Sequence, residues 1–150
     1  MPILIDSPVG PLGFDAAEGA VTRLIWGRPG NLEDGALATQ VQAELAAYFN
    51  GSLAQFSVPV APGGSAFQRS FYDALCAIPL GETRTYGDLA QDLGVSAQAI
   101  GQACGANPIA ILIPCHRVLA ADGLGGYSGA GGIEAKVTLL KLEGAGSLLI

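Results

Sequence analysis

Cys115 is followed at once by His116, the only histidine in the chain, and then by Arg117. A thiol, an imidazole and a guanidinium in consecutive positions, with Pro114 fixing the backbone just before them, can make an activated sulfur nucleophile. The competing reading is an inert buried thiol, the ordinary fate of a cysteine that follows an apolar run such as Ile109 to Ile113. Neighbouring side chains point to opposite faces of a strand and do not face each other on a helix, so a direct hydrogen bond between Cys115 and His116 is disfavoured. The imidazole can still take the thiol proton through a water if a third group orients its ring. A carboxylate serves best, and among thirteen acids Glu143, at the end of the last expected helix, is the candidate.

The remaining composition narrows the alternatives. Cys76, Cys104 and Cys115 are an odd set whose spacing fits neither a disulfide framework nor a C-x-x-C redox or zinc pattern, so reduced thiols, no metal and no cofactor are expected. The 150 residues are 50% hydrophobic and 13% charged, as in a globular chain that buries one core or two small ones. The longest apolar runs fall far short of the ~18 to 20 residues of a membrane span. The N-terminus also lacks the basic start of a secretory signal, so a soluble cytoplasmic protein is expected. The formal charge of −6 argues against strong attraction to nucleic acid. Its distribution is uneven, with six acids and two bases in residues 1 to 60 but seven acids and five bases after them.

The elements that would position the cysteine can be read from the pattern. Ile3 to Asp6, Leu12 to Asp15 and Val21 to Trp26 suggest short antiparallel strands, and Ala36 to Phe49 carries a helical stripe closed by Asn50-Gly51. Phe56 to Val60 suggests a further strand before a boundary at Pro62-Gly63-Gly64. Ser65 with Gln68 predicts a capping box opening a core helix through Phe67, Phe71, Leu75 and Ile78. Thr85 caps a short helix from Tyr86 to Leu93 and Ser96 another from Ala97 to about Cys104, together a helix-turn-helix. The second helix is nearly bare: Ala97, Ala99, Gly101, Ala103 and Gly105 suit either close packing on another helix or entry into a DNA minor groove. Ile109 to Ile113 reads as a strand delivering Cys115, and Ile133 to Leu142 as the last helix.

The stretch Asn107-Pro108-Ile109-Ala110-Ile111-Leu112-Ile113-Pro114-Cys115-His116-Arg117-Val118 closely resembles the active-site signature of the O6-alkylguanine-DNA alkyltransferases, the methylated-DNA–protein-cysteine methyltransferase family. Phe67-Gln68, the run from Gly81 to Gly87, Gly126-Tyr127-Ser128-Gly129 and the run from Leu139 to Gly144 extend the resemblance over residues 62 to 146. It implies an α+β protein: a small N-terminal α/β, ribonuclease H-like domain over 1–61, then a helical, winged helix-turn-helix-like domain over 62–150 that carries the cysteine. It implies that Cys115 accepts an alkyl group from O6-alkylguanine, or from O4-alkylthymine, irreversibly and once. By the same resemblance His116 acts as base through a water, Glu143 orients it, Tyr86 attends the flipped base and Asn107 is a hinge. Ser128 would hydrogen-bond the guanine O6, while Gln98, Ala97, Ala99, Gly101, Arg117 and Val118 would meet DNA or the base. The implied partner is alkylated double-stranded DNA, approached through its minor groove by a monomer, with no membrane involved.

The chain departs from the family at Gln98, where an arginine usually fills the gap left by the extruded base, and Gly105 falls where basic residues often occur. With the acidic total, these residues predict weak, transient DNA binding with a shallow salt dependence. Two other functions compete: an alkyltransferase-like lesion sensor, which Cys115 argues against because such relatives lack the acceptor, and a multiple-turnover cysteine hydrolase.

Overall fold

Leu12–Ala17 (β1) and Ala20–Trp26 (β2) form an antiparallel hairpin in which Leu12 faces Trp26 and Ala17 faces Ala20, with a bulge at Asp15/Ala16. Its two-residue turn, Glu18-Gly19, places both residues at positive φ (52° and 79°), the backbone that matches the twist of paired strands. The computed structural model describes residues 1–127 and 132–145 and divides the chain into two compact units, Met1–Gly63 and Gly64–Ile150. It is an α+β protein.

In the first unit the helix Ala36–Phe49 (α1) buries Ala38, Val41, Leu45 and Tyr48, the stripe its spacing of three and four requires. Two expected strands are reduced to single bridges. Ile3 to Asp6 contributes one two-way exchange between Ile5 and Leu12, at 2.8 Å each way. Phe56 to Val60 contributes the pairing of Val21 with Pro59 and Ala61. The segment at 57–58 is held instead by a side chain, since Glu44 accepts bonds from the backbone N–H groups of Ser57 and Val58.

The second unit is built from capped helices. Ala66–Cys76 (α2) starts at the capping box of Ser65 and Gln68 and buries Phe71, Tyr72 and Leu75. Tyr86–Leu93 (α3) follows a second box, Thr85 with Asp88, and ends at Gly94 in the left-handed region. Ala97–Gly105 (α4) is capped by Ser96 and packs on α3 through its buried Ile100 and Ala103. Each such cap contributes about 1 kcal/mol, which matters for helices of only two or three turns. Arg84–Thr85 (β3) pairs in parallel with Val118–Leu119 (β4), joining the entry of α3 to the residues just after the cysteine. Gly132–Leu142 (α5) closes the unit and buries Ala135, Lys136, Leu139 and Leu140.

Candidate active site

The apolar run before Cys115 is a compact turn, which corrects the expectation of a strand. Ile113 N–H donates to the Ile109 carbonyl (2.9 Å) and Leu112 N–H to that of Ala110 (2.9 Å), folding the chain about Ile111 at a φ of 73°. A β-branched residue rarely takes this conformation, so the surroundings must hold it. Asn107 supplies much of that hold: its Nδ2 donates to the Ile113 carbonyl (2.9 Å) and its Oδ1 accepts from Ile109 N–H (3.0 Å). The Asn107 side chain also favours the ionised form of the Cys115 sulfur, against the burial that opposes it. Cys115–Arg117 then forms one 3₁₀ turn.

In that turn His116 is 0% exposed and its Nε2–H donates to Glu143 Oε2 at 2.6 Å. An acceptor-only carboxylate at Nε2 selects the tautomer that leaves the Nδ1 lone pair available. Nδ1 is buried and has no hydrogen-bond partner among the described residues. Burial holds the imidazole's pKa below its usual value despite the opposing pull of Glu143, which favours a neutral base.

Arg117, expected to meet DNA or the base, is placed in the interior beside Glu143. It is 6% exposed, and its guanidinium donates from Nε to Glu143 Oε1 (2.9 Å), from Nη2 to Oε2 (3.0 Å) and from Nη1 to the Ile78 carbonyl (2.7 Å). The fork therefore anchors the carboxylate that orients His116. The Val118 side chain is fully buried and its backbone belongs to β4.

A cavity of about 460 Å³ opens in front of the sulfur, lined by Tyr86, Gly101, Cys104, Gly105, Cys115, Gly126 and Tyr127. Cys115, though only 4% exposed, lies on its wall. Burial pushes the Cys115 thiol up, while the Asn107 side chain and the Lys136 charge pull it back. Cys104 shares the wall but is pushed up to about 12 by burial and by the neighbouring sulfur. Tyr86, half-buried at the start of α3, has its pKa raised by burial and by the Cys104 and Cys115 sulfurs, against a smaller opposing effect of the Gly126 backbone. At Gly125, with φ 70°, a Cβ would come within 2.9 Å of the Tyr86 ring, so only glycine lets the wall approach this closely.

The residues of α4 divide between two faces. Ala97, Gln98 and Gly101 are exposed, whereas Ala99 is half-buried and lines a second cavity toward Phe67 on α2. A Cβ built at Gly101 or Gly105 meets nothing within 4 Å, so neither glycine is required by packing among the described residues. Ser128 lies outside the described residues. Sequence reasoning missed Lys136 altogether, because a lone lysine on a helix reads as solvated; only its place on the apolar stripe of Ala135, Leu139 and Leu140 could have drawn attention to it.

A thiol on a cavity wall, next in chain to an imidazole held by a buried carboxylate, defines a cysteine-dependent group-transfer site on a small α+β scaffold. The family model described as "6-O-methylguanine DNA methyltransferase, DNA binding domain" matches residues 66–145. The methylated-DNA–protein-cysteine methyltransferase of Methanosarcina barkeri is 42% identical, with 93% of this chain and 94% of that one covered. That of Mycobacterium leprae is 43% identical, with 93% and 89% covered. Among solved structures, the Mycobacterium tuberculosis O6-methylguanine methyltransferase matches with a TM-score of 0.83 at 39% identity, covering 95% of this chain and 91% of that one. The M. tuberculosis OGT in complex with DNA gives the same TM-score at 42% identity, covering 93% and 90%. The chain belongs to the methylated-DNA–protein-cysteine methyltransferase family, whose reaction is direct-reversal DNA repair by alkyl transfer to a cysteine.

Proposed function

We propose that Cys115 is the acceptor, taking the alkyl group from O6-alkylguanine, and from O4-alkylthymine, in duplex DNA. One observation carries the reading: the sulfur lies on the cavity wall while His116, its neighbour in the chain, has Nε2 committed to Glu143 and Nδ1 left to receive a proton. His116 takes the thiol proton through a water, and the thiolate attacks the saturated carbon on O6. The new S–C bond forms as the C–O6 bond breaks, the electron pair leaves with the purine, and the proton follows it. The product is a thioether, which has no carbonyl for water to attack, so each chain reacts once.

The target atom lies within the base stack, so the nucleotide must be extruded into the cavity. The exposed, nearly bare face of α4 formed by Ala97, Gln98, Gly101 and Gly105 suits a minor groove ~6 Å wide. Tyr86 would meet the everted base, Ser128 would hydrogen-bond its O6, and Asn107 would couple α4 to the cysteine turn. We further infer a ribonuclease H-like first domain over 1–61, a winged helix-turn-helix second domain over 62–150, and action as a monomer. A reducing, cytoplasmic setting suits three cysteines that are all free.

The test is to incubate the protein with an O6-methylguanine duplex or with free O6-benzylguanine and to map the mass adduct. One alkyl group per chain on Cys115, absent in Cys115→Ser, is the expected result. Continuous turnover would indicate a hydrolase, and no adduct from either substrate would overturn the assignment.

A further inference from the structure

Two cysteines line one cavity, and the proposed alkyl transfer uses only Cys115. The cavity wall takes Cys115 from the 3₁₀ turn and Cys104 from the last turn of α4. The two are near enough for the charge of the Cys115 sulfur to be felt at Cys104. Both are free thiols. The third, Cys76 on α2, responds to Asp73 and Arg117 and to neither of the other sulfurs. Among the described residues no group of three or more histidine, cysteine or carboxylate side chains is placed to hold a metal ion, so the pair is suited to joining rather than to binding an ion.

For a protein that reacts once per chain, the unreacted sulfur is its whole capacity. A sulfur nucleophilic enough to attack carbon also attacks peroxide, and the sulfenic acid that results is recoverable, whereas further oxidation to sulfinic or sulfonic acid is not. A second thiol within reach intercepts the recoverable stage as a disulfide.

We propose that Cys104 is the resolving thiol of Cys115: under hydrogen peroxide the two close a reversible disulfide across the cavity, which shuts the site and preserves the acceptor until a small thiol reopens it. The protective consequence rests on the acceptor role proposed for Cys115; the disulfide itself does not.

In the first step the Cys115 thiolate attacks one peroxide oxygen, the S–O bond forms as the O–O bond breaks, and the departing hydroxide takes up the thiol's proton as water. The Cys104 sulfur then forms the S–S bond as the S–O bond breaks, and its proton leaves with that oxygen as a second water. A pair of thiols is oxidised to a disulfide while the peroxide is reduced to water. Burial and the neighbouring sulfur's charge push Cys104 up to about 12, so in the resting protein it stays protonated and does not compete for the alkyl group. The sulfenic acid is uncharged, so the second of these causes disappears once Cys115 is oxidised, and Cys104 ionises more readily. A disulfide needs Cα atoms about 4.4–6.8 Å apart. The helix end carrying Cys104 has room to adjust, because a Cβ at the next residue, Gly105, meets nothing within 4 Å.

The test exposes the reduced protein to hydrogen peroxide and blocks the remaining thiols with iodoacetamide. Chymotrypsin, which can cut at Leu112 between the two cysteines, then gives peptides for mass mapping without reduction. Wild type and Cys76→Ser are expected to yield a peptide pair joined through Cys104 and Cys115. Dithiothreitol should then restore nearly the full untreated yield of alkyl adduct from an O6-methylguanine duplex. Cys104→Ser should form no such pair, accumulate sulfinic or sulfonic acid at Cys115, and recover little of its own untreated yield. The proposal is overturned if wild-type Cys115 is over-oxidised while Cys104 stays free, if the bridge runs through Cys76, or if Cys104→Ser recovers as completely as wild type. The wild-type map decides whether the two sulfurs join even if Cys104→Ser fails to fold. Reduced wild type that forms the disulfide but never gains an alkyl group on Cys115 would instead sink the acceptor assignment, so the two failures are distinct.

Discussion

Replacing Arg117 by methionine tests whether Arg117, Glu143 and His116 behave as one electrostatic unit. Methionine keeps much of the length and apolar volume but removes both guanidinium bonds to a carboxylate whose side chain is 1% exposed. Removing one partner of a buried ion pair costs about 3–5 kcal/mol. Here the cost should depend on pH. In the parent protein the folded-state pKa of His116 lies below its usual 6.5, so the neutral imidazole contributes stability above that pH that is lost as pH falls through the folded-state value. Arg117 is one of the charges depressing it, and Glu143 pulls the other way. Without the guanidinium, His116 at 2.6 Å must supply the compensating charge, and its folded-state pKa rises. Once that value exceeds the unfolded one the sign reverses: the contribution is complete at low pH and lost as pH rises through the folded-state pKa. Each unit of upward movement is worth about 1.4 kcal/mol. Urea unfolding of wild type and Arg117→Met between pH 5.5 and 8.5 measures the difference. A deficit of about 3–5 kcal/mol at pH 8 that shrinks by more than about 1 kcal/mol at pH 5.5 is expected. A deficit that stays constant over the range refutes the coupling.

Gln98→Arg should tighten binding to alkylated duplex and steepen the slope of log affinity against log salt by about 0.9 for one added phosphate contact; an unchanged slope places residue 98 away from the backbone. Gly101→Leu should stabilise α4 by up to about 1 kcal/mol, since glycine is a poor helix former and a Cβ there meets nothing within 4 Å. It should nevertheless slow repair of duplex at least about tenfold, because a bulky side chain spoils the approach to a narrow groove; full repair activity would contradict the assigned face. Gly125→Ala should slow benzylation of Cys115 by displacing Tyr86, whose ring lies within 2.9 Å of the added carbon; wild-type kinetics would show that the wall yields without consequence.

What could be read from the sequence was local. Ser65 with Gln68 and Thr85 with Asp88 announce helix starts because the bonds they make span only three residues. The stripe of α1 is visible because burial repeats at the helical period. Glu143 could be singled out from the other acids through the resemblance, not through spacing. The segment 109–113 misled because five apolar residues look alike in a strand and in a buried turn; what folds them is Asn107, six residues from its acceptor at Ile113. The pairing of Arg84–Thr85 with Val118–Leu119 has no local signal at all, since it joins two-residue segments far apart in the chain. The resemblance grouped Arg117 with the residues that meet DNA or the base, and only the fold shows that its fork points at Glu143 and Ile78.

The placement of cations explains how an acidic chain can act on DNA. The second unit holds five basic residues, and two of them, Arg117 and Lys136, are buried, binding Glu143, Ile78 and the carbonyls of the cavity wall. Arg69, Arg84 and Lys141 are the exposed remainder. Phosphate contacts by these three alone correspond to a salt slope of roughly −3, well short of that of proteins that grip the backbone with six or more. Charge that could have attracted DNA from a distance is committed inside the unit instead, to the Glu143 carboxylate and to backbone carbonyls. On the function proposed above, selection of a damaged base falls mainly to the shape of the cavity and the bare face of α4, which act only at contact. Such a division favours brief sampling of many sites over tight residence at any one, and a reaction that is irreversible needs no long residence to be completed.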